Sequence, residues 1–376
     1  MVVPCSQVVP ARRPFGAAAV LVVAAALVAC ASGTPPVEGP ASPTPSAPPS
    51  ASVAATTAAA SATDAELAWL ARGRGSVMLK DGRVLHAGAG DEGSASDRVD
   101  LFDPKSRAWS RGAPLAVARK HHASTVLADG RVLVCGGEEV SVGPSGISHA
   151  GAVLASCELY DPTTNKWSGA PPMSAKRARF TLTTLVDGRA LAVGDPGAEL
   201  FDAAKAKWEP APAPSVAYVA HTATLLPDGR VVVIGANVAP PVKAAIDVFD
   251  PKAGTWTAEA PPQMALTDHS ATLLDDGSVL VVGGVVASAA VQSGLAFAAV
   301  YEPKRRRWDL TGQPHAPHWR HAALALPSGD VLVAGGEHED AELYHREIWI
   351  DPTPDLTTRL DQLRMRDAPA AGGPGR

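Results

Sequence analysis

The chain has 376 residues, 46% of them hydrophobic, with 33 basic and 38 acidic side chains and a formal net charge of −5. That is enough apolar material for a large core. The mildly acidic balance argues against nucleic acid as a partner, because phosphate binding needs a basic surface.

At the N-terminus, Arg12 and Arg13 precede an Ala- and Val-rich run from Phe15 to Ala29, the pattern of a secretory signal with its basic and apolar regions. The run ends in Leu27-Val28-Ala29-Cys30, which resembles the lipobox of bacterial lipoproteins. The resemblance implies a signal peptide over 1–29, acylation at Cys30, and a lipid anchor holding the protein to a membrane of the bacterial cell envelope. An ordinary signal peptide with an incidental cysteine and an uncleaved anchor are the alternatives. Ala31 is not the Asp that marks inner-membrane retention in some bacteria, so the outer membrane or cell surface is the expected destination. Residues 30–63 are almost all Ala, Ser, Pro, Thr and Gly. Such a segment buries too little apolar surface to offset its ordering entropy and reads as a disordered linker.

Beyond it, a Gly-containing turn followed seven residues later by another glycine recurs six times, at Asp81/Gly88, Asp129/Gly136, Asp187/Gly194, Asp228/Gly235, Asp276/Gly283 and Ser328/Gly335. Successive copies lie 41 to 58 residues apart, the length of one four-stranded sheet per repeat. In the second copy, an alternating segment from His122 to Leu127, the Asp129-Gly130 turn and the β-branched run Val132 to Cys135 predict a tight hairpin. A third strand runs through Glu158-Leu159-Tyr160 and a fourth centres on Trp167. The seven-residue spacing of Tyr160 and Trp167 returns as Phe102/Trp109, Phe201/Trp208, Phe249/Trp256 and Tyr301/Trp308, a framework of aromatics for packing sheet on sheet. In the sixth copy Trp349 follows Tyr344 after only five residues, which leaves ring closure open. There the segment around Trp69 either adds a strand or leads in as a helix. After Trp349, "LTTRLDQLRMR" has the pattern of a short amphipathic helix, and the last ten residues read as disordered.

The segments "HHASTVLADGRVLVCGG", "HTATLLPDGRVVVIGA", "HSATLLDDGSVLVVGG" and "HAALALPSGDVLVAGG", with "ELYDPTTNKW" and "VFDPKAGTW" downstream, are similar to kelch repeats. The resemblance covers about three quarters of the chain. It implies an all-β fold, a six-bladed kelch-type β-propeller with four antiparallel strands per blade over 64–353, followed by a C-terminal tail, 354–376. It implies far less about function, since propellers host oxidases, epimerases, hydrolases and interaction modules alike.

Cys135 and Cys157 both fall in the second repeat. Either they form a disulfide, which an exported compartment permits, or they are two free thiols in small buried slots.

In a four-stranded meander, the entry to the inner strand and the loop between the second and third strands share one face, and that face carries most of the variation in loop length. Variable loops on a rigid scaffold are where recognition resides. The same face receives a histidine seven residues before the turn position, at His122, His221, His269 and His321, with Arg74 and Phe180 in the other two repeats. Arg119, His121, Arg179, Asp268, Trp319 and Arg320 stand within three residues of these positions, and Glu138, Glu139, Glu337 and His338 follow nearby glycines. Such a ring at a channel mouth suits a metal or an anion. Against this, regular recurrence favours a framework role for the histidines, because a site breaks symmetry and a scaffold residue follows it.

Copper radical oxidases of the galactose oxidase type share the kelch architecture, and a Tyr-His pair there supplies two metal ligands. Here the pairs are His121-His122, Ala220-His221, Asp268-His269 and Arg320-His321, with no tyrosine, and only Tyr218 stands outside the framework set. Copper chemistry is disfavoured, and no metal or cofactor is expected. Among aromatics outside the repeating set, Trp319 is the first candidate for stacking a sugar. The leading expectation is a monomeric recognition module for a protein or glycan, with no catalytic residues. The alternative is an enzyme on a small exported substrate, an epimerase or oxidase of a sugar or sugar acid.

Overall fold

The computed structural model describes residues 75–88, 95–142, 148–287, 293–326, 328–336, 341–345, 347–352 and 356–358. The signal segment, Cys30, the linker, Trp69, Arg74, Glu337, His338 and most of the tail lie outside these residues. Within them the chain forms six four-stranded antiparallel sheets arranged as a six-bladed kelch-type β-propeller. Their inner strands are Ser76–Met78, Ala123–Val126, Thr181–Thr184, Thr222–Leu225, Ser270–Leu273 and Ala322–Ala325. In five blades the second strand is apolar and buried along its full length, as in Val132–Cys135, Val279–Val282 and Val331–Ala334, while that of the first blade, Val84–Ala87, includes the half-buried His86. Third and fourth strands follow in order, so each blade is a simple meander from the axis outward. In the second blade a further hairpin, Glu138–Val142 with Ser148–Val153, rises from the loop between strands two and three. Leu356–Thr358 form one helical turn, with Leu356 buried.

The sixth blade supplies its own fourth strand, Ile348–Ile350, so no segment around Trp69 is needed to complete it. Its aromatics are five residues apart because the turn between the outer strands has two residues instead of four. His345 pairs with Ile348 where Asp161 pairs with Lys166 in the second blade, and Tyr344 still faces Trp349 as Tyr160 faces Trp167. Glu347 takes φ of 71° to make that turn. All six aromatic pairs have ring centroids 4.9–5.5 Å apart. Five of the tryptophans also reach the neighbouring blade, since the Nε1–H of Trp167, Trp208, Trp256, Trp308 and Trp349 donates to a carbonyl in the preceding connection.

A second periodic feature had no counterpart in the sequence reading. Two residues before the aromatic of the third strand stands a buried acid in five blades, Asp100, Glu158, Glu199, Asp247 and Glu342. Four of them accept hydrogen bonds from backbone amides of the connection into the blade, for example Ala116 to Glu158 at 2.7 Å and Ser174 to Glu199 at 2.8 Å. Each of these four also meets a side chain three residues before the histidine position: Arg119, Arg177, Tyr218 and His318 respectively. Burial, then the Asp247 carboxylate, pushes the Tyr218 phenol up, so it remains a donor. In the fifth blade both partners change together, to Ala299 and Leu266, and both are buried. A buried charge left without its partner is costly, whereas a matched apolar pair is not.

This pairing has a measurable consequence in urea unfolding. Glu158→Ala alone leaves the Arg119 guanidinium buried and is expected to cost about 3–5 kcal/mol. Adding Arg119→Leu, after the fifth blade, is expected to recover part of that loss; a double variant less stable than Glu158→Ala would contradict the assignment.

Candidate functional site: the channel mouth

At one end of the axis the chain enters the inner strands of the second to sixth blades through a residue in the left-handed region. His121, Arg179, Ala220, Asp268 and Arg320 have φ of 53°, 54°, 48°, 56° and 53°. Non-glycine residues adopt this conformation at a cost of about 1–2 kcal/mol each. It turns each amide toward the blade before it, so that Arg179 N–H donates to His121 O at 2.9 Å, Ala220 to Arg179 at 2.9 Å, Asp268 to Ala220 at 2.8 Å and Arg320 to Asp268 at 3.0 Å. A belt of backbone hydrogen bonds therefore runs from the second blade to the sixth around the mouth.

One residue further in, a second set of bonds joins the same blades through side chains. His221 Nε2 lies 3.0 Å from Thr181 Oγ1, His269 Nε2 2.9 Å from Thr222 Oγ1, and His321 Nε2 2.7 Å from Ser270 Oγ. In each pair the hydroxyl belongs to the residue that follows the histidine position of the preceding blade. These hydroxyls were missed in the sequence, although their signal is there: Thr, Thr or Ser follows that position only where the next blade carries a histidine. Where the next blade has Phe180, Ala123 stands instead, and before Arg74 the ring has Ala322.

The structure thus divides the sequence candidates. His221, His269 and His321 are buried framework groups. Arg119 does not reach the mouth at all; it is wholly buried, donating to Gly136 O, Ser156 O and Glu158. Trp319 is only 5% exposed and is no open stacking platform; the Arg320 guanidinium sits 4.5 Å from its ring centroid. The rim itself holds two charged groupings. His121 lies between Glu138 Oε2 at 3.3 Å and Arg179 Nη2 at 3.0 Å, and Arg320 approaches Asp268 at 3.9 Å. Cys135 and Cys157, paired directly across their strands, are joined by a disulfide with Cα atoms 4.1 Å apart. It closes the base of the extra hairpin in the second blade.

Inside the rim is a cavity of about 310 Å³ whose walls come from all six inner strands, with His122, Phe180, His221, His269 and His321 at its upper level. Among the described residues no Asp, Glu, Lys or Arg lines it. No cluster of three or more His, Cys, Asp or Glu side chains suited to a metal occurs among the described residues.

Comparison with known proteins agrees with this geometry. The Kelch motif model matches residues 119–174, the connection and strands of the second blade. The chain is 35% identical over 86 residues to Kelch-like protein 25 of Xenopus tropicalis and 34% identical over 89 residues to that of Xenopus laevis. These matches cover 23% and 24% of this chain but only 14% and 15% of those proteins. Among solved structures, that of YjhT superposes with a TM-score of 0.59 at 16% identity, covering 74% of this chain and 97% of that one. A copper-bound fungal alcohol oxidase superposes with a TM-score of 0.54 at 17% identity, covering 70% and 58%. At such identity the likeness is one of fold. The chain carries a kelch motif on a six-bladed kelch-type propeller.

The hydroxyl–imidazole bonds should tie blades together. Thr222→Val, which keeps the shape and removes the hydroxyl paired with His269, is expected to lower unfolding free energy by about 1 kcal/mol. An unchanged denaturation midpoint would show that this bond does not hold the fourth and fifth blades.

Proposed function

We propose that the protein is a lipid-anchored recognition module of the bacterial cell envelope, which engages a protein or glycan through its mouth face. The observation that carries the reading is the disulfide-braced hairpin beside the belt. Here the scaffold departs from the repeat by adding Glu138–Val142 and Ser148–Val153 and stapling them at the root. A braced loop loses less conformational entropy on binding, which favours recognition. The disulfide also fits an oxidising, exported location, in keeping with the signal pattern and the Leu-Val-Ala-Cys sequence ahead of the linker. The linker gives the propeller reach from the membrane.

Two arms test the reading. Growth with a fatty-acid probe is expected to label the wild-type chain and not Cys30→Ala. Capture of envelope components on immobilised mature protein is expected to fall at least about tenfold with Arg179→Glu at the mouth and to persist with Lys105→Glu, on an exposed turn at the opposite face. Equal loss in both variants, or an unlabelled wild type released to the medium, would contradict it.

A further inference from the structure

On the face opposite the mouth, four blades seat an arginine in the same way, and the series stops at the fifth. In the turn between the first two strands, Asp81, Asp129, Asp187 and Asp228 each accept the backbone amide two residues on at Oδ1. The guanidinium of that same residue, Arg83, Arg131, Arg189 or Arg230, then meets Oδ2 with Nη2 at 2.7–2.8 Å. Arg83 and Arg189 also donate across the blade junction, to Pro162 O at 2.8 Å and Pro251 O at 3.2 Å in the outer turn of the next blade. In the fifth blade the arginine is replaced by Ser278. Its amide and its hydroxyl both bond to Asp276 Oδ1, and Oδ2 has no partner among the described residues. The sixth copy reverses the order, and its buried carboxylate, Asp330, is met by Ser328 and His345. Asp276 is thus the one turn acid, among the described residues, that lacks its cation.

Space is left where that cation would lie. A cleft of about 350 Å³ opens between the fifth and sixth blades, with Asp276 and Ser278 on one wall and Tyr344 and Glu347 on the other. Tyr344 holds the place of Tyr160 and Tyr301, the phenols on which the charges of Arg83 and Arg230 act in the filled junctions. No Lys or Arg lines the cleft among the described residues, and Arg346 lies outside them. Of the acids that line it, Glu302 and Asp309 are paired with Arg305 and Arg307. Asp275, Asp276 and Glu347 form no ion pair with a described residue. These acids do not make a metal-binding group, whereas a carboxylate beside an aromatic wall suits a planar guanidinium. Leu310, which also lines the cleft, is 84% exposed and offers apolar contact to a residue next to the incoming one.

We propose that this cleft is a second docking surface, separate from the mouth, that takes an arginine side chain of a partner polypeptide. The guanidinium sits on Asp276 Oδ2 as the chain's own arginines sit in the four preceding blades, with an apolar neighbour of that arginine against Leu310.

The experiment is a ¹H–¹⁵N NMR titration of the mature protein with acetyl-Leu-Arg-Leu-amide and with its citrulline and lysine counterparts. The arginine peptide is expected to move the amides of Asp276, Gly277, Ser278 and Glu347 with half-saturation below about 10 mM. The citrulline peptide is expected to leave them in place, and the lysine peptide to bind at least about threefold more weakly. Ser278→Arg, which restores the chain's own arginine, is expected to abolish the response, and Asp276→Asn to weaken it at least about tenfold. If Ser278→Arg does not fold, Asp276→Asn, on an exposed turn, carries the test. Citrulline or lysine binding as well as arginine, shifts that spare this turn, or full binding by either variant would overturn the proposal. Binding seen only after Arg346→Ala, or only after Arg359, Arg364, Arg366 and Arg376 are replaced, would overturn it as well, by showing that the chain fills its own cleft.

Discussion

At each junction from the second blade to the sixth, a backbone hydrogen bond made by a residue in the left-handed conformation holds the mouth of this propeller. The bond from Ala220 N–H to Arg179 O shows what it costs and what it gains: alanine has no special tolerance for φ of 48°, yet it adopts that angle because only then does its amide meet the neighbouring blade. Sheets packed face to face through apolar surfaces are free to slide; a directional bond at the axis fixes the angle between them. The imidazole–hydroxyl bonds one residue further in, and the tryptophan bonds at the periphery, repeat that constraint at two other radii.

Much of this was legible in the sequence. The turn glycines, the apolar second strands and the aromatic pairs recur because every blade solves the same packing problem, and recurrence is what a sequence reveals. The regularity of the histidines already favoured a framework role. What was hidden depended on relations between blades. Thr181 has meaning only beside His221, forty residues away, and Arg119 belongs to Glu158 in the core and not to the rim it neighbours in sequence. The irregular sixth repeat looked like a closure problem; it was a shorter turn. Ala299 and Leu266 show the same logic in reverse, as a polar pair replaced on both sides at once.

The mouth combines a rigid ring with groups that do not follow the symmetry. Glu138, His121 and Arg179 form one charged grouping, Asp268 and Arg320 another, and between them lies a channel lined, among the described residues, by no Asp, Glu, Lys or Arg. His122 stands where these meet, the histidine for which the fold provides no hydroxyl.

Amide hydrogen exchange on the native protein tests the central claim most directly. If the belt is the constraint on which the mouth depends, the amides of Arg179, Ala220, Asp268 and Arg320 are expected to exchange only with global unfolding, as slowly as those of the buried second strands. Exchange of these four at the rate of the surrounding loops would show that the belt opens on its own, and that the mouth is not held in the way described.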